Sequence, residues 1–148
     1  MKNAFTMIEL IFVIVILGIL ASVAIPKLAA TRSDAEVSKV AQNVMTSAAE
    51  IASYAVSNAK TENDLTVMSN GMKSLSTTGD AVLTDKKAVI SMGGVSDCLT
   101  LEIVTGATDD NLTISLGNAG SDKKCLALQS AVDASKYPMK LRGQSVQY

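Results

Sequence analysis

The chain has 148 residues, the size of one ordinary domain. Its 13 Lys and Arg stand against 14 Asp and Glu, a formal net charge of -1, so a large basic field for nucleic acid is absent. Histidine is absent altogether, which removes Ser-His-Asp and Cys-His nucleophile sites, histidine general bases and histidine zinc sites, and two cysteines cannot alone build a four-thiolate metal cluster.

The first element is apolar. From Ala4 to Ile25 the only charged residue is Glu9, and Leu10 to Ile25 carries no charge. About 22 residues at 1.5 Å per residue make a helix of roughly 33 Å, against a bilayer hydrocarbon core of about 30 Å. Three readings compete: a membrane anchor, a cleaved secretory signal with Ser22-Val23-Ala24 as its small-x-small site, and a buried helix of a soluble domain. A domain of this size rarely buries such a helix on all sides. A dispensable signal has no need of Glu9, since a carboxylate at mid-bilayer costs about 2.5–3.5 kcal/mol. The anchor is the preferred reading.

The frame around that acid is specific. Phe5-Thr6-Met7-Ile8-Glu9-Leu10, followed by the apolar run and Pro26, resembles the N-terminus of type IV pilins and the related pseudopilins. The resemblance covers Ala4 to about Leu28. It implies that a prepilin peptidase removes residues 1–4 as a leader, cutting between Ala4 and Phe5, and that Phe5 is then N-methylated. Glu9 falls at the fifth mature position and Pro26 at the twenty-second, as in that family. One departure is Ala4, where the family usually has Gly, and Ala is the nearest substitute in size. The implied organisation is a leader (1–4), a membrane and polymerisation helix (5–27) and a periplasmic or extracellular globular domain (28–148). The implied location is the bacterial inner membrane in a single pass, with assembly in the periplasm or on the cell surface. The implied partners are further copies of the chain, other pilin-like subunits and the peptidase. Lys27, Arg32 and Lys39 follow the span while only Lys2 precedes it, so charge alone argues for the opposite orientation, and the family motif decides it.

Beyond the span a helical period continues. Val37, Val40, Ala41, Val44, Met45, Ala48, Ile51, Ala52, Ala55 and Val56 fall on one face, and neither Pro nor Gly occurs between Lys27 and Asn70. The spacing predicts one helix from Phe5 to about Asn58, interrupted or bent at Pro26. Asn58 to Gly79 reads as a polar connection holding a short helix, with Leu65, Met68, Met72 and Leu75 at helical spacing.

The remainder shows β signals. Ala88 to Met92 reads as a short strand before Gly93-Gly94. Leu99, Leu101 and Ile103 alternate with polar residues, as do Leu112, Ile114 and Leu116, and Gly106 to Asp110 makes a hairpin turn between them. Lys124 to Ser130 reads as a further strand. The expected fold class is α+β: a long N-terminal helix, half membrane and half amphipathic, packed against a small antiparallel sheet. This agrees with the type IV pilin-like fold that the resemblance implies.

Weaker signals lie in the second half. Cys98 and Cys125 read either as a disulfide in an oxidising compartment or as two buried thiols, and the disulfide is favoured. Pilins often staple a C-terminal loop in this way. Asp109, Asp110 and Asn111, with Asp122, offer hard oxygens that a Ca²⁺ ion would take; the plainer reading is an Asx-rich turn, and no cofactor is expected. Asn111-Leu112-Thr113 is a glycosylation sequon preceded by Asp109. Lys123, Lys124, Lys136, Lys140 and Arg142 form a locally basic stretch, weighed as a weak DNA surface against a solvated face or subunit contact. Gly18 is the one glycine of the apolar run, read either as a close-packing point or as a tolerated small residue. The expected function is a structural subunit of a type IV pilus-like filament and not an enzyme. The alternatives are a pseudopilin of a type II secretion or DNA-uptake system and a membrane-tethered domain that forms no filament.

Overall fold

A computed structural model describes residues 5–106 and 109–142. The leader with Ala4, the turn residues Ala107 and Thr108, and Tyr148 lie outside the described residues. The chain divides into two compact units, 1–35 and 36–148.

Helix α1 runs from Met7 to Asn58 and passes through Pro26 without an interruption. In the first unit its described residues are exposed, apart from the half-buried Ser33. Every described apolar residue from Phe5 to Leu28 is exposed, which excludes the buried-helix reading within this chain. It is the one helix among the described residues long and apolar enough to cross a membrane, with a mean hydropathy of 2.9 in its most apolar window.

The second unit holds the core. Val37, Val40, Ala41, Val44, Ala48, Ile51 and Ala55 form a buried stripe on α1, with Met45 and Ala52 half-buried beside it. Val56, expected on this face, is 75% exposed. It lies one 100° step off the line through Ile51 and Ala55, close to the end of the helix. Ser47, a polar residue, is fully buried in the stripe and donates its hydroxyl to the Asn43 carbonyl at 2.6 Å.

Two short helices replace the expected single one in the connection. Helix α2 covers Leu65–Met68, capped by Asp64, and α3 covers Asn70–Thr78, capped by Ser69 and closed by left-handed Gly79. Leu65, Met68, Met72 and Leu75 are all buried, as their spacing predicts.

A five-stranded antiparallel meander follows: β1 (Ala81–Thr84), β2 (Lys87–Met92), β3 (Val95–Thr105), β4 (Asp110–Leu116) and β5 (Met139–Lys140), in that spatial order. Leu101 pairs with Ala88 on one side and Ile114 on the other, and all three side chains enter the core. The α+β class is as expected. The short strands β1 and β5 were not expected.

The predicted strand at Lys124–Ser130 is instead helix α4, Lys123–Ala131. Asp122 accepts the Cys125 N–H at 2.8 Å as its N-cap, and Cys125 and Leu128, three residues apart, are its buried face. The run Cys-Leu-Ala-Leu holds no β-branched residue to favour a strand.

Candidate functional site

The acid at the head of α1 is locally engaged. Thr6 donates its backbone N–H to Glu9 Oε2 at 2.8 Å and its hydroxyl to the same oxygen at 2.7 Å. In return the Glu9 N–H donates to Thr6 Oγ1 at 3.4 Å. With α1 beginning at Met7, this is a capping box: Thr6 is the N-cap and Glu9 the third helical residue. The helix end at residue 6 therefore ties down the carboxylate, and the negative charge lies at the positive end of the helix dipole. Both donors reach Oε2. No role was expected for Thr6, although Thr-x-x-Glu ahead of an apolar run is itself a capping signal. Phe5, the residue before the cap, is 83% exposed.

The helix that this cap begins presents apolar side chains on every side. Ile8, Leu10, Ile11, Phe12, Val13 and Ile14 are all exposed, so none of the described residues covers them. A charge at the edge of such a surface is tolerated only where something pairs with it or hydrogen-bonds it.

Residues 1–25 match the prokaryotic N-terminal methylation motif. This is the signature of type IV pilins and pseudopilins, and it covers the resemblance read from the sequence up to Ile25, short of Pro26. The match ends at residue 25, so the globular unit lies beyond it. No curated protein and no solved structure matches the chain significantly. A pilin-type N-terminus and one long apolar helix together fit a protein anchored in a membrane by a single segment.

The two cysteines are joined. Cys98 on β3 and Cys125 on α4 form a disulfide with a Cα–Cα distance of 5.6 Å, and both are fully buried. Non-covalent bonds repeat the link. Gln129 donates its amide to the carbonyls of Cys98 and Gly117, each at 2.8 Å. Asp122 caps α4 and also accepts the Gly94 N–H at 3.3 Å, reaching the turn between β2 and β3. Gly93 sits there at φ 65°, and a Cβ on it would run into the Asp122 carboxylate. Hydrogen bonds from the Cys125 and Gly94 amides hold Asp122 below the usual carboxylate pKa range.

The Asp109, Asp110 and Asn111 side chains do not converge. Asp109 pairs with Lys140 at 3.6 Å, and Asp110 is buried beside Thr61 and Arg142. Asn111 lies in the middle of the ladder, between Val104 and Lys140. Asp122 serves α4 instead. Among the described residues no three His, Cys, Asp or Glu side chains come together in a way that would hold a metal ion.

Nor is the basic stretch a free patch. Lys124 pairs with Glu36 at 2.9 Å, Lys136 with Asp133 at 3.3 Å, Lys140 with Asp109 and Arg142 with Asp110. Four of its five cations thus face carboxylates of the same chain.

Proposed function

We propose that this chain is a structural subunit of a type IV pilus-like filament, stored in the bacterial inner membrane and assembled through the apolar half of α1. In this reading the prepilin peptidase removes residues 1–4, cutting between Ala4 and Phe5, and Phe5 is methylated. Residues 5–27 then span the membrane and later line the filament core. Residues 28–148 form the periplasmic or extracellular domain.

The observation that supports this most directly is the methylation motif at residues 1–25, ending in a helix whose apolar side chains from Met7 to Leu28 are all exposed. Such a surface needs lipid or sister helices as its cover. Glu9 supplies the register. The Thr6 cap satisfies Oε2 with two neutral donors, but a carboxylate in an apolar zone gains most from a cation. After leader removal the α-amino group of Phe5 is a cation at neutral pH, and methylation leaves it charged. A neighbouring subunit's amine meets Glu9 at one axial offset only, so the pair both recruits a subunit and fixes its position.

The alternative within this class is a pseudopilin of a secretion or DNA-uptake machine. Pairing of four of the five C-terminal cations with carboxylates counts against a DNA-binding face. The absence of histidine favours a structural role over a catalytic one. Electron microscopy of cells with and without the gene, with antibody labelling of filaments, tests the reading. Labelled surface fibres that vanish on deletion are expected. Unchanged fibres that never take the label would overturn it.

A further inference from the structure

A buried carboxylate lies outside the roles assigned above. Asp110, the first residue of β4, is 2% exposed. Its Oδ2 accepts the Thr61 hydroxyl at 2.7 Å, from the connection between α1 and α2, and lies 3.5 Å from Arg142 Nε at the far end of the described chain. Thr61 in turn accepts Lys86 Nζ at 3.3 Å, and that ammonium also donates to Thr105 at 2.7 Å. Segments remote in sequence therefore meet at one carboxylate.

The contact with Arg142 is a charge pair without an aligned hydrogen bond. Asp110 Oδ1 and Arg142 Nε are both buried, and neither has a hydrogen-bond partner among the described residues. Leaving buried polar atoms short of partners weakens the closed arrangement. Apolar contacts also hold this part of the chain: Val132 and Leu141 are buried in the core, and Ala134, Tyr137 and Met139 are half-buried against it. Strand β5 has two residues, pairing with Asn111 and Leu112. Leu141 is 2% exposed and donates its N–H to the Asp110 carbonyl at 2.8 Å. The Lys140–Asp109 pair is largely solvated, with Lys140 72% exposed, and holds weakly. The disulfide closes the loop from Cys98 to Cys125, so everything after Cys125 lies outside the covalent ring.

We propose that residues 133–142, hinged at the buried Val132, form a strap that opens from the β4 edge independently of the disulfide-closed body, fastened at its far end by the Asp110–Arg142 pair beside buried Leu141. Opening turns all of β4 into a sheet edge with a free row of N–H and C=O groups, a template for pairing with another chain. It also frees Asn111, the asparagine of the sequon, from its backbone pairing with Lys140.

Hydrogen exchange on the full chain in detergent micelles tests this. In the wild type the Leu141 amide should exchange at least about tenfold faster than Leu99 and Leu101 in β3, the ratio expected when one charged contact sets a local opening. Arg142→Gln should speed Leu141 further and leave Leu99 and Leu101 unchanged. It should also hasten tryptic cleavage after Lys136 and Lys140 while the disulfide stays intact. Thr61→Val, which removes the other side-chain contact to Oδ2, should shift Leu141 in the same direction. Leu141 exchanging in step with Leu99 and Leu101 in the wild type would overturn the proposal. So would Leu141 protection that Arg142→Gln leaves unmoved in a folded chain.

Discussion

Thr6 and Glu9 cap each other at the start of α1, the threonine giving two hydrogen bonds to one carboxylate oxygen and receiving one from the glutamate amide. The cap does two things at once. It starts the helix at a defined residue, and it holds the only acid of the apolar segment close to Phe5, the N-terminus that the proposed leader removal would create. In the proposed assembly Glu9 would meet an incoming subunit already oriented.

Glu9→Val and Glu9→Gln should both lose their leader normally, since the cut lies before Phe5, and should accumulate in the membrane. Neither should enter filaments when it is the sole subunit. Thr6→Val keeps the backbone N–H bond to Glu9 and removes the hydroxyl bond, so filament yield should fall less than in Glu9→Val. Sheared-filament yield against membrane-bound protein measures this. Wild-type yield from Glu9→Val would refute the pairing.

Replacing Cys98 or Cys125 by Ser should lower the stability of the globular unit by roughly 3–4 kcal/mol, the loop-closure value for a ring of this length. The double variant should be no worse than either single one, because both remove the same bond. The Asp122 cap and the Gln129 amide should keep α4 docked in each. Denaturant unfolding gives the magnitude. Modification of both cysteines by a thiol reagent in the native protein would contradict the bond.

Acid should destabilise the globular unit in a way that points to Glu50. Its carboxylate on α1 accepts the Ser69 hydroxyl at 2.7 Å and the Gly71 N–H at 3.1 Å, and these bonds hold its pKa below the usual carboxylate range. The folded-state value is the lower one. Its stabilisation is therefore complete above the unfolded pKa, about 4.3, and fades as pH falls from there through the depressed folded value. Melting temperature against pH should fall less steeply at the acid end for Glu50→Gln. A slope unchanged by that substitution would remove Glu50 from the account.

Gly71→Ala should cost about 1–3 kcal/mol by overpacking. A Cβ there would overlap the Ser47 hydroxyl and lie 3.1 Å from the Asn43 carbonyl, where α3 crosses α1. Ser47→Ala introduced alongside should recover part of the loss, since the hydroxyl is the nearest obstruction. Thermal unfolding of the single and double variants checks both.

The parts of this fold that sequence pattern exposes are those whose periodicity is self-contained. Val37 to Ala55 mark a helix face by spacing alone, and Leu99, Leu101 and Ile103 mark a strand by alternation. Helix α4 was hidden because its buried residues are only Cys125 and Leu128, too few to show a period, while its decisive signal is one side chain, Asp122. Strands β1 and β5 have four and two residues and exist through their neighbours. The Thr6 cap was legible as a Thr-x-x-Glu pattern. The surroundings of Asp110 were not, because Thr61 and Arg142 reach it from 49 and 32 positions away, and only the folded sheet brings them together.

Mass spectrometry of the mature N-terminus, on filaments sheared from cells, tests the central claim most directly. The account predicts a chain that begins with N-methylated Phe5 and has lost Met1-Lys2-Asn3-Ala4, with Ala4→Leu blocking that cut and Ala4→Gly hastening it. A chain that keeps Met1, or one cut after Ala24, would contradict it.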